Sequence, residues 1–294
     1  MFLLSRSKII ACIAISGLIL LGASPLSAAD ASSTGKHCLW RITNAPAPFY
    51  LLGSVHALQP SDYSRAPVIE EAIKQSRQIF FEVDPKDNEV LGRKLMEAAR
   101  LPRGQQILGK ISPKTYDYLR KITISGMNEW QHLHPWAIAM LLEDSRFRGT
   151  SYRYGVDYYV ADRARHYSKA TAGLETADEH IRVFSDMHEI EGEVYLLQAI
   201  VHASEAPQLF RQDVAAWNAG DTNRLYAMHV AEMKEAPTVW WRLLDRRNAR
   251  WIPRIEAAIK SGKSTMVVAG ALHFSGPHSV SALLQKRGYK IEQL

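Results

Sequence analysis

Two apolar runs of strand length stand near opposite ends of the chain, FYLLGSVH at 49–56 and MVVAGALH at 266–273. Each closes in G-x-x-H and is followed by a turn and an amphipathic stretch. Short apolar runs bounded by turn residues predict buried strands. On this pattern, strands are expected at 38–42, 49–56, 78–84, 170–175, 264–270 and 289–294. Elsewhere the apolar positions recur with helical spacing. Val68, Ile69, Ala72 and Ile73 share one face, and further helices are expected over 87–100, from Ser112-Pro113, over 135–143 and from Gly155 to Arg165. Ser112 supplies a capping hydroxyl just before a proline in the first turn. From Thr176 to Lys260 the pattern is helical almost throughout. Val194, Leu197, Ile200 and Val201 predict one buried stripe there, and Leu209, Val214 and Trp217 part of another. Asp221 and Pro237 mark later helix starts, and a last helix over 278–287 stops at Gly288.

A strand, a helix and a strand in succession predict a right-handed crossover with parallel pairing of 49–56 and 78–84. The fold class expected is α/β, a central mixed, largely parallel sheet flanked by helices, with a helical insertion at about 176–260 before the last strands. A loose internal repeat (strand, G-x-x-H, proline loop, helix, strand) links the two ends of the chain.

Composition narrows the class. The 294 residues are 47% hydrophobic and 22% charged, which suits a globular protein with a sizeable core. Residues 1–29 combine Arg6 and Lys8, an apolar stretch from Ile9 to Leu21, and small residues at Ser27 and Ala29. That is the pattern of a cleaved signal peptide, so an exported protein with one domain over 30–294 is expected, with no stable membrane span after cleavage. The net charge of +6 includes Arg6 and Lys8 and forms no basic stripe, so no nucleic-acid partner is expected. Cys12 falls within the leader, leaving Cys38 alone and excluding both an internal disulfide and a thiolate zinc cluster.

The candidate chemistry lies where the strands end: His56, Glu82 with Asp84, Glu175 and His273. In an open parallel sheet the carboxyl ends of the strands line one edge, where sites are built. Imidazole with carboxylate suits a divalent ion such as manganese, cobalt or zinc. Glu82 lies inside an apolar segment, where an unpaired carboxylate is costly and a metal or an arginine is the expected partner. The glycine three residues before each histidine lets the backbone pass close to a metal or substrate. His132 and His134 read as packing and capping residues. His188 to Glu193 lacks the second histidine of H-E-x-x-H and reads as a solvated acidic face. Trp240, Trp241 and Trp251 read as core. No G-x-S-x-G, Walker A or G-x-G-x-x-G is present.

The ordered set LLGSVH, IFFEVD, YGVDYYVADRA with ATAGLETADE, LLDRRNARWIPRI and VVAGALHFSGPHSVSALLQKRGYKI resembles the TraB/GumN family, which includes the Tiki-type metalloproteases. The resemblance implies an α/β fold, both G-x-x-H histidines in one site, and metal-dependent peptidase activity. His56, His273 and Glu82 then correspond to metal ligands, Glu82 or Glu175 to the general base, and Arg247 with Asn248 to the family's Arg-Asn pair, Arg247 stabilising an oxyanion. Leu272 departs from the glycine-richer G-A-G-H of some members, and His278 stands where the family often has an acid. The expected activity is that of an exported metal-dependent hydrolase of peptides or proteins. A metal-free esterase-like hydrolase with His56 as general base, and a non-enzymatic binder of peptide or other ligand, are the alternatives.

Overall fold

A computed structural model describes residues 35–62, 66–123, 127–144, 147 and 149–294. The expected signal peptide lies outside the described residues. In chain order the strands are β1 (Leu39–Ile42), β2 (Phe49–Ser54), β3 (Gln78–Phe81), β4 (Ala170–Gly173), β5 (Thr265–Gly270) and β6 (Ile291–Gln293). The longer helices are α1 (Pro67–Gln75), α2 (Asn88–Ala98), α3 (Pro113–Ile122), α4 (Pro135–Asp144), α5 (Val156–His166), α6 (Ala177–Ser185), α7 (Glu189–Val201), α8 (Ala206–Asn218), α9 (Thr222–Glu235), α10 (Arg246–Lys260) and α11 (Val280–Gln285).

The strands form one mixed sheet of order β4-β3-β5-β2-β1-β6, in which β4, β3, β5 and β2 are mutually parallel. β1 runs antiparallel to both β2 and β6. One expectation needs correction. β2 and β3 are parallel but do not pair, because β5 is inserted between them. The expected β2, β3 and β4 segments also run past their last ladder residues: His56, Glu82, Asp84 and Glu175 all lie beyond the strand ends. Their polar side chains sit where the sheet opens, not where it packs.

Two apolar cores divide the molecule. One wraps the sheet with Ile69 and Ile73 of α1, Val156 and Val160 of α5, Trp217 of α8, and Trp251, Ile252 and Ile255 of α10. The other is helical, formed by Leu91, Leu119, Ile138, Ile181 and Leu196 from α2, α3, α4, α6 and α7. The helix starts follow the capping chemistry expected of them. Ser112 Oγ accepts from the Thr115 amide at 3.2 Å, and Thr176 with Glu179 forms a complete capping box.

The phase of α7 differs from expectation. Gly192, Tyr195, Leu196, Ala199 and Ile200 are buried, whereas Val201 is 65% exposed. The 188–193 acids are not simply solvated either. Glu191 pairs with Arg242 at 3.0 Å, and Glu193 accepts from the Ser112 amide at 2.8 Å, so this face ties α7 to its neighbours. Of the three tryptophans read as core, Trp251 is buried, Trp240 is partly buried and Trp241 is 51% exposed. Cys38 is buried, its thiol 3.5 Å from the Trp217 carbonyl oxygen, and burial pushes its pKa up to about 12. It is an inert thiol.

Candidate active site at the strand ends

The register of the sheet sets the site. Ser54 of β2 lies opposite Gly270 of β5, and Phe80 of β3 lies opposite Val267, so three chain segments leave the sheet at nearly one level. His56 follows β2, Glu82 follows β3, Glu175 follows β4, and His273 lies in the single turn Ala271–Phe274 after β5. A methyl group added at Gly270 would lie 3.6 Å from Glu82 Oε1, 3.7 Å from His273 Cδ2 and 3.8 Å from His56 Nε2. The bare α-carbon of Gly270 is therefore the floor on which the three groups converge. Gly53 serves a different purpose, since a side chain there would press on the Ala271 backbone at 3.1 Å.

Each imidazole is anchored through Nδ1. His56 Nδ1 lies 2.9 Å from Asp157 Oδ2, in the first turn of α5, and Ser54 Oγ donates to the other Asp157 oxygen at 2.8 Å. His273 Nδ1 lies 2.6 Å from Asn248 Oδ1. The Asn248 amide is itself oriented by donating to the His278 carbonyl at 3.0 Å. Because Asp157 Oδ2 and Asn248 Oδ1 only accept, both rings carry a proton on Nδ1 and turn Nε2 toward the site. Carboxylate or amide support behind Nδ1 is the arrangement that orients metal-binding histidines.

The two rings differ in charge. Burial disfavours a proton on His56, but Asp157, with Glu82 beyond it, outweighs burial and raises its pKa to about 9. His273 is only 4% exposed, and burial reinforced by Arg247 lowers it to about 3 against the opposing pull of Glu82. His56 is therefore cationic at neutral pH and His273 neutral.

Behind them lies a buried ionic cluster. A turn of π-helix, Trp241–Asp245, leads into α10 and sets Arg247 and Asn248 facing inward. Arg247 Nε donates to Glu175 at 3.1 Å, and Nη2 donates to Glu175 Oε1 at 2.6 Å and to Glu82. Nη1 donates to the Leu243 carbonyl at 3.3 Å and lies 3.2 Å from His273 Nε2. All five guanidinium N–H groups are thus engaged within the protein. Glu175 also accepts from Trp251 Nε1 at 3.1 Å and from His180 Nδ1 at 2.8 Å. Burial works against its charge, but Arg247 and then His180 hold its pKa at about 2. Glu82 is likewise held well below the ordinary range: burial opposes its charge, and Arg247, with His56 and the Gly270 amide, outweighs it.

Two groupings present ligand-type atoms. Glu82, Glu175 and His180 bring theirs within 4.8 Å of one another, a set that can hold a metal ion. Arg247 Nη2 already lies among all three, bonded to both carboxylates and 3.4 Å from His180 Nδ1. The other grouping faces Gly270. His273 Nε2 and Glu82 Oε1 are 3.8 Å apart, a spacing compatible with two bonds of about 2.0–2.2 Å to one ion. His56 Nε2 faces the same floor. This set fits a divalent ion once His56 gives up its Nε2 proton and the hydrogen bond from Arg247 Nη1 to His273 is exchanged.

The structure thus gathers His56, Glu82, Glu175, Arg247, Asn248 and His273 at one edge, while Asp84 faces Thr171 at 2.9 Å and caps the following turn. His132 and His134 stand outside the cluster as expected, the His134 amide and carbonyl bonding to Ala99 and Ala137. Sequence reasoning missed Asp157, His180 and Trp251 as members. Trp251 stands four residues after Arg247, on the same helical face, and His180 follows Glu175 within the capped first turn of α6. Those spacings were the available signals.

The model of the TraB/PrgY/gumN family matches residues 38–293. The chain belongs to that family. Among its relatives, metalloprotease TIKI1 of Danio rerio is 23% identical over 86% of this chain, and metalloprotease TIKI2 of the same organism is 23% identical over 91%. The chain spans 62% of the length of each of these relatives. The Escherichia coli K12 protein YbaP, named as uncharacterized, is 24% identical over 87% of this chain and is covered over 96% of its own length. No solved structure matches the chain. For this TraB/PrgY/gumN member, no helix among the described residues is long and apolar enough to cross a membrane.

Proposed function

We propose that this chain is an exported, metal-dependent hydrolase of peptide bonds, with His56, His273 and Glu82 as its metal-holding set. The observation that carries the reading is the convergence of these three groups on the α-carbon of Gly270. Likeness to proteins named metalloproteases supports hydrolase chemistry, a metal ion and a peptide substrate. The basic and apolar pattern of residues 1–29 supports export. When bound, a divalent ion of the manganese, cobalt or zinc class supplies Lewis acidity toward a substrate carbonyl and activates water.

The chain's own residues do the rest. Asp157 and Asn248 hold the two rings with Nε2 inward, and Glu82 turns Oε1 to the same face. Glu175, saturated by Arg247, His180 and Trp251, anchors the arginine and is not free to act as a base. Arg247 keeps both carboxylates on Nε and Nη2 as a fixed counter-charge, and its Nη1, released from His273 when an ion binds, is the one donor left for a substrate oxyanion.

Metal analysis of the purified protein, paired with digestion of a peptide library, tests this. His56→Ala and His273→Ala are each expected to lose metal and cleavage while retaining the wild-type circular dichroism spectrum. Full metal content in either variant sinks the shared-ligand reading. A metal-free hydrolase is the second reading, favoured by Arg247 lying within the Glu82, Glu175 and His180 set. His56, cationic at neutral pH, then serves as a general acid, and cleavage persists after exhaustive chelation.

A further inference from the structure

Helix α3 has an outer face that the helical core does not use. Thr115 and Leu119 are buried on its inner side, whereas Lys114, Tyr118, Lys121 and Ile122 follow one another at helical spacing on the outside. Tyr118 is 39% and Ile122 43% exposed, and the Lys114 and Lys121 ammonium groups lie 6.0 Å and 5.5 Å from the Tyr118 ring centroid. The turn Ile107–Gly109 packs against α3; it buries Ile107 and leaves Leu108 exposed.

The charge around this face is one-sided. Six basic residues and a single acid, Asp117, stand between Arg100 and Ile122, a local concentration that corrects the expectation of no basic stripe. The acids that reach the segment from α7 are already taken. Glu189 pairs with Lys110 at 2.6 Å, and Glu193 accepts from the Ser112 amide and the Thr115 hydroxyl. Among the described residues, Arg100, Arg103, Lys114, Arg120 and Lys121 have no carboxylate within ion-pair distance. Unpaired cations beside exposed apolar side chains are the chemistry of a surface that meets anionic lipid.

We propose that the outer face of α3 docks the protein on an anionic lipid bilayer. Lys114 and Lys121 meet the headgroup phosphates, Tyr118 sits at headgroup level, and Ile122 enters the acyl boundary. A nucleic acid or an acidic polysaccharide would satisfy the same cations but would give Ile122 and Leu108 no apolar phase in which to bury.

The test is cosedimentation of the purified protein with phosphatidylcholine vesicles that contain about one-third phosphatidylglycerol, against vesicles of phosphatidylcholine alone. Whatever remains of residues 1–29 is common to every variant, so differences between variants report on α3. Lys114→Gln, Lys121→Gln is expected to weaken binding to the anionic vesicles at least tenfold, and binding by the wild type is expected to fall as sodium chloride is raised. Tyr118→Ser, Ile122→Ser is expected to weaken it at least fivefold with the charge unchanged. All four side chains are exposed, so both double variants are expected to keep the wild-type thermal melt. His273→Ala is expected to bind vesicles as the wild type does, because the face shares no residue with the strand-end cluster. Undiminished vesicle binding in either double variant overturns the proposal. So does tighter binding of the wild type to double-stranded DNA or heparin than to the anionic vesicles, which would make the face a polyanion site.

Discussion

Arg247 has more consequences than any other side chain at the strand ends. It is 7% exposed and neutralises two carboxylates, one of them 5% exposed. A buried pair is weak evidence of net stabilisation, but removing one partner strands the other charge and costs about 3–5 kcal/mol. Arg247→Met is therefore expected to lower unfolding free energy in urea by about that amount. Arg247→Lys is expected to recover only part of it, because an ammonium has three donors in place of a fork of five. Equal urea midpoints for Arg247→Met and wild type would show that the cluster is not a working counter-ion network. Gly155 makes a second case at this scale. Its backbone is ordinary, with φ −63° and ψ 150°, yet an added methyl group would lie 1.9 Å from the His56 carbonyl oxygen. Gly155→Ala must displace His56 or the start of α5, at about 1–3 kcal/mol or more. We expect a lowered melting temperature together with lost metal content; wild-type metal content would show that His56 does not depend on this contact. The resemblance marks Arg247 as an oxyanion donor, but its role as the counter-charge of two carboxylates, like the role of Gly155, is not legible in the sequence. An arginine in a helix reads as surface until the carboxylates from two distant strands are found beside it.

At the scale of elements, α10 and α5 hold the site by one turn each. The π-helical turn ahead of α10 changes the facing of the helix, and Arg247, Asn248 and Trp251 then share its inner side. α8 and α9 are joined by a separate buried ion pair, His229 with Asp213. His229 is 2% exposed; burial disfavours its charge, but Asp213 and Glu232 prevail and raise its pKa to about 9. Because the folded value lies above the ordinary 6.5, its contribution is fully present below about pH 6.5 and lost as pH rises through about 9. His56 titrates over the same range, so the His229 contribution must be isolated by difference. The stability gap between wild type and His229→Gln is expected to shrink by on the order of 2 kcal/mol from pH 6 to pH 9.5 in urea titrations. A gap independent of pH would mean that His229 is neutral in the folded protein. Element identity was largely legible, because Ser112, Thr176 and Asp221 cap helices wherever they stand. Phase was less so. α7 is apolar on more than one side, and Val201, expected in its buried stripe, is exposed because only neighbouring helices decide which side is covered.

Over the whole molecule, the helical segment between β4 and β5 is part of the site and not an appendage. It supplies His180, Arg247, Asn248 and Trp251, and its α8 sends Trp217 Nε1 to the Gly53 carbonyl at 2.8 Å beneath the first G-x-x-H. Excising residues 176–260 would leave Glu82 and Glu175 without Arg247 and expose the inner face of the sheet. The shortened chain is expected to show no cooperative thermal transition by near-ultraviolet circular dichroism. A sharp transition would mean that the sheet forms its core alone.

The sequence by itself determined the class of fold, the strand-end positions of His56, Glu82, Glu175 and His273, and most helix starts. These follow from local rules: apolar period, turn residues and caps act within a few residues. Only the tertiary structure decided that β5 lies between β2 and β3, which puts Gly270 and His273 between His56 and Glu82. It alone decided that Arg247 answers Glu82 and Glu175, that Asp157 and Asn248 aim the two rings, and that His56 is cationic while His273 is neutral. Strand order and charge environment arise from contacts between residues far apart in the chain, and no local window of sequence contains both partners.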